Sequence, residues 1–211
     1  SFKRPEGQLP MGLHRIPRGL DLPLLGAPEQ RIEAAGFPRK VAVIAADYPG
    51  MRPTMHVQEG DAVRTGQLLF EDKKTKGVRY TSPGTGIVTG VNRGAKRALQ
   101  SVVVQLDTTD RGDDSASFSS FKDKHPSSLS REEVKELLVE SGDWVSLRAR
   151  PYGKVADPET SPSSIVVAAW DSNPHAPNLE LAVEGRGSDF ERGLQALARL
   201  TDGPVYVCRR A

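Results

Sequence analysis

The sequence predicts a chain of two domains, a small antiparallel β domain followed by an α/β domain. Residues 37–107 hold short apolar runs separated by Pro-Gly, Gly-Asp and Arg-Gly pairs, a spacing typical of a β sandwich or barrel. From residue 129 onward helical and strand patterns alternate, which predicts a Rossmann-like parallel sheet. Between the two domains lies a polar stretch, 108–128, interpreted as a linker in which Phe118 and Phe121 pack on a domain.

The first 36 residues are set apart from both domains. Residues 1–10 precede Met11 and are interpreted as a remnant of an expression sequence, so they are excluded from the fold prediction. Residues 11–36 contain several prolines and glycines without a regular hydrophobic period, which predicts an extended segment.

Bulk composition excludes several classes of protein. The formal net charge is only +2, so bulk charge predicts no nucleic-acid binding and membrane contact only through partners. The apolar runs 41–46 and 165–170 are too short to span a bilayer, and no signal-peptide pattern is present. With a single cysteine, Cys208, the chain can form neither an intrachain disulfide nor a cysteine-ligated cluster, and no metal site is predicted.

The stretch "VQEGDAVRTGQLLFEDKKTKGVRYTSP", residues 57–83, has the layout of a lipoyl/biotinyl-like domain. In such domains a lysine at a hairpin turn carries the cofactor. Lys73 follows Asp72, as in the lipoyl pattern, but it precedes Lys74, whereas Lys76 has the better spacing and the wrong neighbours. We therefore predict a barrel-sandwich β domain whose three lysines form a charged tip for partner contacts. A modified lysine in a carrier domain remains the alternative.

A second basic turn and a glycine pair follow in the same domain. Arg93, Lys96 and Arg97 lie in a predicted hairpin loop, interpreted either as a solvated loop or as a docking point for an acidic partner or anionic head groups. The glycines of "GTGIVTG", residues 84–90, lead into a strand and are predicted to form turns, because a dinucleotide-binding loop leads into a helix.

Helix signals mark the second domain. Ser130 and Glu133 form a capping box, and Gly142 suits the end of the same helix. A second helix is predicted to begin with Ser188 as its N-cap, and Glu191 repeats the spacing.

Two apolar strands, 163–171 and 204–210, are predicted to pair in a parallel sheet covered on both faces, with Cys208 buried. One such unit buries too little to close a sheet, so the α/β domain is expected to be incomplete and the natural protein to continue. Ligands of open α/β sheets bind beyond the carboxyl ends of strands. The polar groups at that place are candidate ligand contacts, with an ordinary turn as the alternative: Asp171, Ser172 and Asn173.

Several long blocks of the chain resemble one family. They are "GLDLPLLGAPEQ" (19–30), "GMRPTMHVQEGDAV" (50–63), "LLFEDKKTKGV" (68–78), "TSPGTGIV" (81–88), "NRGAKRALQSVV" (92–103), "LVESGDWVSLRARPYGKV" (138–155) and "VYVC" (205–208). These blocks look like the A subunit of the sodium-translocating NADH:quinone oxidoreductase, and the likeness extends from Gly19 to Arg210.

The resemblance implies a translocase subunit, with five other subunits as partners, in a complex that uses NADH, flavins, iron–sulfur centres, ubiquinone and sodium. It implies a peripheral position on the cytoplasmic face of the bacterial inner membrane and a role in quinone binding or reduction and in assembly. No cofactor is expected in this subunit, and no catalytic residue can be assigned. A nucleotide- or flavin-binding redox subunit is a further alternative.

Overall fold

The computed structural model describes residues 24–107, 114–171 and 173–209. The first domain contains seven strands. They are β1 (Lys40–Ile44), β2 (Pro53–Met55), β3 (Ala62–Val63), β4 (Leu68–Asp72), β5 (Arg79–Thr81), β6 (Gly86–Arg93) and β7 (Leu99–Leu106). One sheet has the order β1-β7-β6-β3 and the other β2-β4-β5, with every neighbouring pair antiparallel. The predicted barrel-sandwich β domain is confirmed.

The core of this domain lies between the two sheets. Val102 and Val104 alternate along β7 and are fully buried, as expected for a strand with one face inward. In β4 the consecutive residues Leu69 and Phe70 are both fully buried. A register shift between Leu68 and Phe70 explains this, because a bulge turns two successive side chains to the same face.

The second domain mixes helices with short strands. Its elements are α1 (Arg131–Ser141), β8 (Arg148–Ala149), β9 (Lys154–Val155), β10 (Ile165–Ala168), α2 (Glu180–Val183), α3 (Gly187–Arg199) and β11 (Val205–Cys208). Strands β10 and β11 pair in parallel, as predicted, and β8 pairs with β9 as a small antiparallel hairpin.

The two predicted helix starts have different outcomes. At α1 the Glu133 backbone N–H donates to Ser130 Oγ at 3.2 Å, and the Ser130 N–H donates to Glu133 Oε2 at 2.8 Å. Gly142 ends this helix with φ +86°, so both of its predicted ends are confirmed. The prediction for Ser188 is wrong: α3 begins at Gly187, and Ser188 lies inside its first turn, where its hydroxyl makes no capping bond.

The parallel sheet is covered on one face only, which corrects the prediction of two covered faces. Val166 is 61% exposed and Tyr206 43%. Cys208 lies on this outer face and is exposed, so the predicted buried thiol is also wrong. Strand alternation explains the error, because an apolar run does not reveal which of its faces a neighbouring element covers.

The capping box predicts a difference between two serine variants. Ser130→Ala should lower the free energy of unfolding by about 1 kcal/mol, since the N–H of Glu133 loses its acceptor. Ser188→Ala is the matched control and should change stability little, because its hydroxyl caps nothing. Urea unfolding of both variants checks this, and equal losses would contradict the assignment of the cap.

Candidate functional site

The carboxyl end of α1 joins the two domains. Thr81 at the end of β5 donates its hydroxyl to the Ser141 carbonyl at 2.9 Å. A Cβ on the adjacent Gly142 would overlap the Thr81 side chain. Trp144, in the following turn, is 4% exposed and donates its indole N–H to the Ala156 carbonyl at 2.8 Å. The β domain and the α/β domain therefore share a packed contact.

The segment 114–121, part of the predicted linker, is bound to both domains. Ala116 donates its backbone N–H to the Thr65 carbonyl at 2.8 Å, and the Phe118 ring lies against Gly66. On the other side, Ser119 and Ser120 donate backbone and hydroxyl hydrogens to the Glu140 carboxylate of α1. Phe121 is 61% exposed, so only one of the two predicted anchors packs.

A cleft of about 440 Å³ opens where these elements meet. Its apolar wall includes Ile44, Tyr48 and Phe118, and its polar wall includes Thr65 and Asp143. This volume lies within the roughly 300–1,000 Å³ typical of small-molecule sites. The cleft combines apolar and aromatic walls with a few polar groups, so it is the candidate site for a partly apolar ligand.

Tyr48 is held in the cleft wall by two contacts. Its ring meets the Tyr80 ring edge-on at 4.7 Å between centroids, and the Arg148 guanidinium lies 4.9 Å from its centroid on one face. Tyr80 in turn stacks on Phe70 at 4.6 Å. Among the described residues, the Tyr48 hydroxyl makes no hydrogen bond, which leaves it able to donate to a ligand.

Tyr80 is a buried group that belongs to the packing around the site. Its hydroxyl has no hydrogen-bond partner in the described part of the chain. Burial, followed by the charge of Asp72, raises the pKa of Tyr80 well above its ordinary value. The phenol therefore stays protonated and contributes ring contacts.

The predicted basic residues occupy two turns outside the cleft. Lys73, Lys74 and Lys76 are exposed on the β4–β5 turn. Asp72 shapes this turn, because its Oδ1 accepts the N–H groups of Arg52 at 3.0 Å and of Lys74 at 2.9 Å.

The second basic set lies on the β6–β7 turn. Lys96 and Arg97 both have left-handed backbone, with φ of 54° and 59°. Arg93 donates to the Arg97 carbonyl at 3.1 Å, which holds the turn in this shape. The predicted turn glycines are confirmed nearby, since Gly86 begins β6 and no helix follows it.

The loop after β10 holds the predicted ligand contacts. Asp171 Oδ1 accepts the backbone N–H of Asn173 at 2.9 Å and its amide at 2.7 Å, and both residues are exposed. Ser172 lies outside the described residues. The amino-terminal segment meets this loop, because His175 Nε2 lies 3.2 Å from the Leu25 carbonyl and Asn178 donates to the Gln30 side chain at 3.0 Å.

The cleft itself was not predicted from the sequence. The residues that form it come from five separate stretches of chain, and none carries a recognisable motif. In the ranges that the structure describes, no group of three or more metal-ligating side chains comes together. No helix there is long and apolar enough to cross a membrane.

A barrel-sandwich β domain bound to an α/β domain, with a ligand-sized cleft at their junction, defines the class of protein. Comparison with known proteins supplies the family. The profile of the NqrA N-terminal barrel-sandwich hybrid domain matches residues 14–107, and that of the NqrA second alpha/beta domain matches residues 129–211. The chain belongs to the NqrA family, the A subunits of Na(+)-translocating NADH-quinone reductases.

Named relatives agree across several bacteria. The NqrA-type protein of Alcanivorax borkumensis is 49% identical over 195 residues, covering 92% of this chain and 43% of that protein. The Pseudomonas aeruginosa protein is 50% identical over 195 residues, with 92% and 42% covered. The Vibrio anguillarum protein is 48% identical over 194 residues, with 92% and 43% covered. The chain thus spans less than half the length of these relatives.

Gly142 is expected to be the most sensitive glycine of the junction. Gly142→Ala would place a side chain on a left-handed residue and push it into Thr81. We expect a loss of about 2 kcal/mol or more in unfolding free energy. Gly153→Ala is the matched control, since Gly153 also has positive φ but no atom within 4 Å of an added Cβ. Thermal unfolding compares them, and equal losses would argue against the junction contact.

The segment 114–121 is expected to loosen in acid. Hydrogen bonds from the Ser120 side chain and backbone, followed by those of Ser119, lower the pKa of Glu140 to about 2. A depressed pKa means that this contribution is complete above the ordinary value of 4.5 and is lost as pH falls toward 2. Amide hydrogen exchange at Ser119 and Ser120 should therefore rise across that range.

Glu140→Gln separates this effect from the titration of Glu133. The pKa of Glu133 is also about 2, chiefly through its hydrogen bond from Lys122. In the Gln variant, exchange at Ser119 and Ser120 should already be fast at pH 7 and should depend little on acid. If protection persists there, Glu140 does not hold the segment.

Proposed function

We propose that this chain is part of a peripheral subunit on the cytoplasmic face of the bacterial inner membrane, in a complex that carries electrons from NADH to ubiquinone and exports sodium. Family membership supports this proposal, since the relatives are named as components of a Na(+)-translocating NADH-quinone reductase. The subunit would work with five other subunits, would reach the membrane only through them and would carry no complete active site of its own.

Within that complex, the subunit would bind the quinone ring in the cleft at the domain junction. A quinone ring is flat and apolar on its faces and carries two carbonyl acceptors. Tyr48 and Phe118 offer aromatic surface, and the free Tyr48 hydroxyl can donate to one carbonyl. That unpaired donor in an aromatic cleft is the observation that carries the proposal.

Redox cofactors would reside in other subunits. The complex would use NADH, flavins, iron–sulfur centres, ubiquinone and sodium, and this subunit would bind none of them except the quinone. The chain's single cysteine, Cys208, supports this division, because a protein-bound iron–sulfur cluster needs several thiolate ligands.

Two sets of sequence-predicted residues would contribute contacts. The two exposed basic turns would meet neighbouring subunits, through Lys73, Lys74 and Lys76 on one and Arg93, Lys96 and Arg97 on the other. The loop with Asp171, Ser172 and Asn173 would contact a ligand at the edge of the parallel sheet.

Binding of a short-chain ubiquinone to the isolated full-length subunit tests the cleft. Tyr48→Phe removes one hydrogen bond and keeps the ring, so affinity should fall about tenfold, the equivalent of roughly 1.4 kcal/mol. Tyr152→Phe is the matched control, because Tyr152 is 79% exposed and does not line the cleft. Isothermal titration measures both. Unchanged affinity for Tyr48→Phe, or no saturable binding by the wild type, would refute the quinone site.

A further inference from the structure

A cluster of exposed cations crosses from the β domain to the α/β domain. The β4–β5 turn contributes three of them, and the Lys73 N–H donates to the Arg52 carbonyl at 2.7 Å. Two residues of the second domain lie against the same connecting segment, Arg148 over the Tyr48 ring and Lys154 beside Gly50. We call these six residues the composite basic surface: Arg52, Lys73, Lys74, Lys76, Arg148 and Lys154.

The positive charge of this surface is not neutralised locally. Within the described ranges, none of the six cations forms an ion pair. The nearest acids are already engaged. Asp72 is 8% exposed and accepts two backbone N–H groups, while Glu71 binds Arg79 at 3.3 Å and lies 3.4 Å from His56.

We propose that the composite basic surface docks an acidic segment of a neighbouring subunit. This inference rests on the proposed function, since it supposes assembly into a complex. Four of the six cations are lysines, which act as point charges without a fixed fork geometry, so the surface suits an extended run of carboxylates. Tyr152, in the β8–β9 turn between Arg148 and Lys154, adds an exposed aromatic of the kind enriched at protein interfaces.

The surface fits a protein partner better than a small anion. The six cations are exposed and come from two domains, whereas a small anion is held best by N–H donors that converge in a concavity. An acidic polypeptide can follow an extended surface and meet several lysines in succession. The contribution of both domains also means that the docked segment would span their junction.

A charge-reversal series in the full-length subunit, expressed with the other subunits, tests the proposal. K73E/K74E/K76E should weaken retention on the membrane-bound subunits about tenfold and should make it less dependent on salt. R39E/K124E/R192E is the matched control. It makes the same change in net charge at three exposed cations elsewhere and should behave as the wild type.

Further arms keep the outcomes distinct. If the triple variant folds poorly, R52E/K154E tests the same surface from the other side, and normal retention of either surface variant would overturn the proposal. Sedimentation with phosphatidylglycerol vesicles tests a lipid partner. Wild-type binding there that K73E/K74E/K76E abolishes, with subunit retention unchanged, would also overturn it. Ubiquinone binding by the isolated surface variant should stay normal, so failure of this proposal is separate from failure of the quinone site.

Discussion

The contact between the end of β5 and the end of α1 is the constraint on which the arrangement of the two domains depends. Thr81 binds the carbonyl of Ser141, and Gly142 lies so close that no other residue fits its left-handed backbone without displacement. A helix normally leaves its last carbonyls unpaired. Here one of them is satisfied by the neighbouring domain, so the end of the helix and the domain junction are the same structure.

The cleft follows from this junction. Once α1 abuts β5, the chain between the domains has a surface to cross, and Glu140 and Thr65 hold it there from opposite sides. Phe118 then closes the cleft opposite Tyr48. Because the walls come from both domains and from the connecting segment, a ligand in the cleft would contact all three. Its affinity would depend on the junction remaining closed.

Local signals explain what could be predicted from the sequence. The capping box at Ser130, the stop at Gly142 and the turns between strands depend on neighbours within a few positions, and these predictions are confirmed. Ser188 failed because two residues, Gly187 and Ser188, can begin the same helix, and backbone packing chose the first. Cys208 failed because alternation does not identify the covered face. The cleft could not be predicted, since its parts meet only through tertiary contacts.

Net charge was the least informative property of the sequence. The balance of +2 predicted no binding through bulk charge, yet six cations converge where the nearby carboxylates are already used. Screening at physiological ionic strength limits electrostatic influence to about 8 Å, so a binding partner senses neighbouring charges and not the total. Lys76 and Arg148 are far apart in sequence, and only the fold brings their domains together. A charge surface of this kind is therefore a property of the domain junction, as the cleft is.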